Sequence, residues 1–163
     1  MAVLVPLALG ACAGDEVRPP PCPGVSSVTG AQSLVRFSQG GQDLTDVLFE
    51  AEIKDAALRC EYVDNLIEAD MRISIQALRG PADVRRQADF SYFVAIATLD
   101  RKILARKEFK LEVPFPGNQS RVAAVEEISQ RIPLKAGEAG DSYVIYVGLA
   151  LTPRELQYNL ENR

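Results

Sequence analysis

The sequence predicts an all-β chain: an antiparallel β-sandwich of about seven strands with a short helix at the C-terminus. Three observations carry this. Ile67, Ala69, Met71, Ile73, Ile75 and Ala77 alternate without a break with Glu68, Asp70, Arg72, Ser74 and Gln76, and a period of two is a strand with one dry and one wet face. Most of the chain after residue 47 repeats that alternation between turn-forming residues, with no helical period between strands, which excludes a βαβ arrangement. The last twelve residues instead open with Thr152-Pro153-Arg154-Glu155, a helix start with a capping Thr, Pro at the first helical position and Glu where a capping box requires it.

Taken in order, Val25–Val28 and Ser33–Phe37 read as two short strands around Thr29-Gly30, and Ser38 to Asp43 reads as a loop. Val47, Phe49, Ala51 and Ile53 begin an alternating stretch. Lys54-Asp55-Ala56 reads as a turn, Ala57 to Tyr62 as the returning strand, and Asp64-Asn65 as a second turn. The 67–77 strand follows and ends at Arg79-Gly80-Pro81. Pro81 to Ala88 is polar and reads as a short helical turn. Phe90, Tyr92, Val94 and Ile96 mark one face of the next strand, and Phe93, Ala95 and Ala97 make its other face unusually apolar, which predicts burial on both sides. The chain doubles back after Leu99-Asp100-Arg101 with Phe109, Leu111 and Val113 inward, and Pro114 to Asn118 ends that strand. Glu126, Ile128, Gln130, Ile132 and Leu134 form an imperfectly apolar row, as on an edge strand. Lys135 to Asp141 reads as a hairpin-like loop. Tyr143, Ile145, Val147, Leu149 and Leu151 complete the pattern, with Gly148 allowing a close neighbour. In the terminal helix Leu156 and Leu160 share a face and are expected to plug it against the sheet.

The totals remove several classes of function. A formal net charge of −4 lacks the basic footprint of nucleic-acid binding. Histidine is absent, and with it His-ligated metals, Ser-His and Cys-His nucleophile pairs, and the usual base near neutral pH. Neither Ser-x-x-Lys nor Gly-x-Ser-x-Gly spacing occurs. Asp43, Asp46 and Glu50 lack the spacing of a calcium loop. Glu126-Glu127 and Glu50 with Glu52 read as solvated carboxylates rather than acid–base pairs. No catalytic residue, cofactor or metal site is expected.

The N-terminus carries the most specific signal. Met1 to Ala11 is apolar throughout and too short to span a bilayer, and Cys12 follows it. Leu9-Gly10-Ala11-Cys12 resembles the lipobox of bacterial lipoproteins, although no Lys or Arg precedes the apolar run. The resemblance implies a signal peptide over 1–11, lipidation of Cys12 and residence in the cell envelope. Ala13, in place of the Asp that marks inner-membrane retention in enterobacterial members, points by the same resemblance to the outer membrane. Residues 12–24, with Pro19, Pro20, Pro21 and Pro23, read as a semi-rigid tether, and 25–163 as the domain. Of the three cysteines, assigning Cys12 to lipid leaves Cys22 and Cys60 as a pair for a disulfide in an oxidising periplasm.

The nearest architectures are the immunoglobulin-like and fibronectin-type sandwiches, without the Cys-Trp-Cys signature of true immunoglobulin domains. The tail, from Ile132-Pro133-Leu134-Lys135 through Tyr143-Val144-Ile145-Tyr146-Val147-Gly148 to Thr152-Pro153-Arg154-Glu155-Leu156, resembles uncharacterised alphaproteobacterial envelope lipoproteins. That likeness implies a location and no mechanism.

One charge cluster stands out: Arg101, Lys102, Arg106, Lys107 and Lys110, with Arg85 and Arg86. It reads either as a patch for anionic lipid, lipopolysaccharide or an acidic partner, or as edge charges that discourage strand-to-strand aggregation. Interleaved Asp100, Glu108 and Glu112 favour the latter. The expected function is a non-enzymatic, lipid-anchored sandwich that binds or scaffolds another envelope component, with an envelope protein as partner and no nucleic acid. The alternative is a carrier for a small apolar or glycan ligand, held in a pocket lined by Phe90, Tyr92, Phe93 and Tyr143.

Overall fold

A computed structural model describes residues 19–162. Eight strands, β1 (Gly24–Ser27), β2 (Ser33–Phe37), β3 (Val47–Val63), β4 (Leu66–Arg79), β5 (Gln87–Thr98), β6 (Ile103–Pro114), β7 (Arg121–Pro133) and β8 (Tyr143–Leu149), precede one helix, α1 (Pro153–Glu161). They form two four-stranded sheets, ordered β1-β8-β5-β6 and β2-β3-β4-β7. All pairings are antiparallel except β1 with β8. The architecture is the expected all-β sandwich. Its strand order is its own and differs from the ABED/CFG order of immunoglobulin domains.

β4 lies at the centre because its sequence alternates most strictly. Ile67, Ala69, Met71, Ile73, Ile75 and Ala77 are all buried, and they pack against Phe90, Tyr92, Val94 and Ile96 of β5 and Ile145, Val147 and Leu149 of β8. The second face of β5 is apolar for the expected reason: Ala95 and Ala97 are buried there too. Gly148 leaves the space that Phe93 fills, since a Cβ on it would come within 2.8 Å of the ring. β7 is an edge strand, as its imperfect pattern suggests, although it begins at Arg121, ahead of the row recognised in sequence.

Four local readings are corrected. Lys54-Asp55-Ala56 is not a turn. β3 runs straight through it, pairing Ile53 with Ile75 and Asp55 with Ser74, so Lys54 is the extra residue of a bulge. The bulge moves the inward row from Val47, Phe49, Ala51 and Ile53 to Ala56, Leu58, Cys60 and Tyr62. Pro81 to Ala88 forms no helical turn. The Asp83 carboxylate accepts the backbone N–H groups of Arg85 (2.9 Å) and Arg86 (3.2 Å) and pairs with Arg79 (2.8 Å), which folds the segment as a bend held by its own side chain. Lys135 to Asp141 joins β7 to β8 across the two sheets and is therefore not a hairpin. The terminal helix has its capping box, with the Glu155 carboxylate accepting from Thr152 N–H at 2.8 Å and the Thr152 hydroxyl accepting from Glu155 N–H at 3.3 Å. It does not dock through leucines. Leu156 and Leu160 are exposed, while buried Asn159 donates to the carbonyls of Gly30 (2.8 Å) and Ser33 (2.7 Å) and Tyr158 meets Phe37 edge-on at 5.2 Å.

Candidate functional site

Among the described residues the features nearest to a site gather at one end of the sandwich. β1 runs parallel to β8, with Gly24 beside Val144, and Val144 lies beside Ala97 of β5. The chain therefore enters the fold at the end that carries the β3–β4, β5–β6 and β7–β8 connections. Cys22 and Cys60 form a disulfide across 5.8 Å between Cα atoms. The Tyr62 hydroxyl donates to the Pro21 carbonyl and accepts from Gly140 N–H, both at 2.6 Å. Pro23 is buried, and a Cβ on Gly140 would lie 2.2 Å from the Pro21 oxygen. Pro21 to Pro23, read in sequence as the last part of a tether, are thus packed on the domain. Cys12, the signal segment and the remainder of the tether through residue 18 lie outside the described residues.

The seven cationic residues read as one patch do not form one. Arg85 and Arg86 precede β5 and Arg101 and Lys102 follow it, so the strand's 12 residues separate them by roughly 35 Å. Arg85 pairs with Asp89, and the Arg86 guanidinium donates to the Phe115 carbonyl at 3.2 Å. Along β6, alternation sends Arg106 and Lys110 to the outer face and Lys107 to the inner one. Arg106 lies 4.4 Å over the Phe93 ring and 3.6 Å from Glu108, while Lys107 lies 5.0 Å from the Phe109 ring. An inward-turned lysine on an exposed edge strand opposes pairing with another chain.

The four aromatics of the carrier reading do not line one pocket either. Phe90, Tyr92 and Tyr143 fill the core between the sheets, and Phe93 points out of the opposite face beneath Arg106. An open cleft of about 700 Å³ lies between β2 and α1, bordered by Arg36, Phe37, Gln39, Arg154, Glu155 and Tyr158. Two of its charged groups, Arg36 and Glu155, already serve the fold. Arg36 donates to Glu155 at 2.9 Å and to the Asp89 carbonyl at 2.9 Å, and Glu155 caps the helix.

The carboxylates singled out in sequence are likewise engaged or apart. Glu126 faces inward and Glu127 outward on β7. The fully buried Tyr92 donates to Glu126 at 3.0 Å, and burial first, then this carboxylate, raises the phenol's pKa well above its ordinary value. Asp46 accepts the backbone N–H groups of Gln42 and Asp43 at 3.3 Å and so closes its own loop. The Tyr143 hydroxyl donates to Glu138, which with burial pushes its pKa up to about 12 and holds the Glu138 carboxyl below its usual range. These are locks between loops and strands. Sequence reasoning missed Tyr62, Tyr92 and Tyr143 as polar anchors, because nothing in an alternating row marks which aromatic carries a bonded hydroxyl.

No protein-family model, curated protein or solved structure matches this chain.

Proposed function

We propose that the protein is a lipid-anchored envelope β-sandwich, non-enzymatic, that holds or scaffolds another envelope component, with Cys12 as the anchor and the outer membrane as its place. The observation that carries the reading is the covalent strap. The disulfide Cys22–Cys60 fixes the entry of the N-terminal segment to a strand of the second sheet. A disulfide of this kind belongs to an oxidising compartment, and its position suits a domain attached through the segment before it. The apolar run ending in Leu9-Gly10-Ala11-Cys12 supplies the attachment chemistry. Asp46, Asp83, Glu138 and the Arg36–Glu155 pair hold loops and the helix cap, which favours a scaffold over a catalyst.

The test is Cys12→Ser in the native host with metabolic fatty-acid labelling and membrane fractionation. Loss of label together with release from the membrane is expected. A parent protein that carries no label yet stays with the membrane would overturn the lipid-anchored reading. Crosslinking of the lipidated protein in intact envelopes identifies the component it holds.

A further inference from the structure

The β5–β6 hairpin exposes three large apolar side chains around two cations. Leu99 is 67% exposed, Ile103 52% and Leu104 49%, with Asp100, Arg101 and Lys102 between them. The turn is held by Arg101 N–H donating to the Thr98 carbonyl at 2.9 Å and Thr98 N–H donating to the Lys102 carbonyl at 3.1 Å. Leu104 is the extra residue of a bulge, since Ile96 pairs with Ala105 and Ala97 with Ile103, and bulges re-aim the side chains at a strand end. Arg101 has φ +65°, a conformation in which glycine is at ease and a long side chain is strained. A rigid apolar tip that keeps an arginine where glycine fits better is suited to a surface that takes both apolar groups and cations.

The position of the tip says which surface. Gly24, Val144 and Ala97 lie in one row, so the described chain begins at the end where the tip projects. Three strand spacings separate β1 from β6, about 14 Å. The segment from Cys12 to Pro21 reaches at most about 30 Å. The opposite end also exposes single apolar residues, Leu44 and Val84, and is turned away from that segment.

We propose that this tip is a second membrane contact: Leu99, Ile103 and Leu104 enter the head-group region of an anionic phospholipid bilayer while Arg101 and Lys102 meet its phosphates. The contact rests on the lipid-anchored reading, and it orients the sandwich with its outermost loops at Val84 facing away. Asp100 is turned back onto the Thr98 hydroxyl, which holds its carboxyl below the usual range. The neighbouring connections carry Asp64, Glu138 and Asp141 against one cation, Lys135, so the attraction to an anionic surface rests on Arg101 and Lys102 of the hairpin.

The chain contains no tryptophan, so a single one reports its own position. Lipidated full-length Leu99→Trp and Val84→Trp are reconstituted in phosphatidylglycerol vesicles and in phosphatidylcholine vesicles, each containing a shallow nitroxide-labelled lipid. Expected are blue-shifted, quenched emission for Leu99→Trp in phosphatidylglycerol and water-like, unquenched emission for Val84→Trp. Each surface cation contributes roughly a fivefold gain in binding. Arg101→Gly, which relieves the strained backbone, should therefore leave folding intact and lower the quenching of Leu99→Trp, as should phosphatidylcholine. Vesicles that float with the protein while Leu99→Trp stays unquenched overturn the hairpin contact and leave the anchor standing. Protein that fails to float overturns the anchor and the contact with it.

Discussion

Replacing Ile73 tests the register of the whole sandwich. Its side chain is fully buried at the centre of β4, between β3 and β7, where it pairs with Ala56 and Glu126. Ile73→Ala removes buried methyl and methylene groups and leaves a cavity, a cost of about 3 kcal/mol. Against a total stability of about 5–15 kcal/mol, that is a large fraction. With a urea slope of about 1.5–2 kcal/mol/M, the unfolding midpoint should fall by roughly 1.5–2 M. Ser74, the next residue, points to the other face and lies opposite Asp55 across the bulge. Ser74→Lys should stay within about 0.5 kcal/mol of the parent. Within that margin it should gain about 0.2–0.5 kcal/mol from Asp55 that disappears in an Asp55→Ser background. The assay is urea unfolding of oxidised protein followed by circular dichroism. Equal midpoints for Ile73→Ala and Ser74→Lys would refute the assigned faces. Absence of coupling to Asp55 would refute the bulge and restore a turn at Lys54.

Three further outcomes are expected. Cys60→Ser should lower stability by about 4 kcal/mol at most, the chain-entropy value for a loop closed by residues 38 apart; two alkylatable thiols at positions 22 and 60 in freshly isolated protein would remove the pairing altogether. Asn159→Ala leaves the Gly30 and Ser33 carbonyls without their donor and should cost about 1–3 kcal/mol, whereas Leu160→Ala should change thermal stability by less than about 0.5 kcal/mol; the reverse order would mean that the helix docks through its leucines. Tyr143 titrates near 12 in the fold and near 10 when unfolded, so its stabilising contribution is complete below pH 10 and lost as pH rises toward 12; Tyr143→Phe should flatten that part of the alkaline unfolding profile, and an unchanged slope would count against the lock with Glu138.

What the sequence made legible was alternation, and what it hid was anything that interrupts alternation. The 67–77 strand is read correctly because one period runs unbroken through eleven residues. At Lys54 the inward row slips by one position, and a bulge and a turn leave the same trace in the pattern; only the pairing of β3 with β4 on both sides of the slip distinguishes them. The helix start was legible because a capping box is local chemistry. Its docking face was not, because Asn159 is buried for its two hydrogen bonds and not for its hydropathy. The cationic cluster looked compact because Arg85 to Lys110 are near in sequence, whereas a 12-residue strand and its alternation scatter them over two ends and two faces. The disulfide partners were legible from the compartment that the N-terminal motif implies. The anchoring by Tyr62 and Gly140 depends on contacts 41 and 78 residues apart and has no sequence signal.

The strap also explains why a disulfide is useful at this point of the fold. β1 is an edge strand of four residues, paired to β8 alone, and short terminal strands fray. Any force on the segment before residue 19 would reach β1 first and peel it from β8. Cys22 lies before β1 and is joined to Cys60 of β3, a 17-residue strand paired to β4 along 14 positions. A pull therefore passes through the disulfide into the centre of the second sheet, and β1 is relieved of it. The same link joins the two sheets at the end where the chain enters, so that end moves as one body with the β3–β4 hairpin. Such a link suits a domain held through its N-terminus, as proposed above.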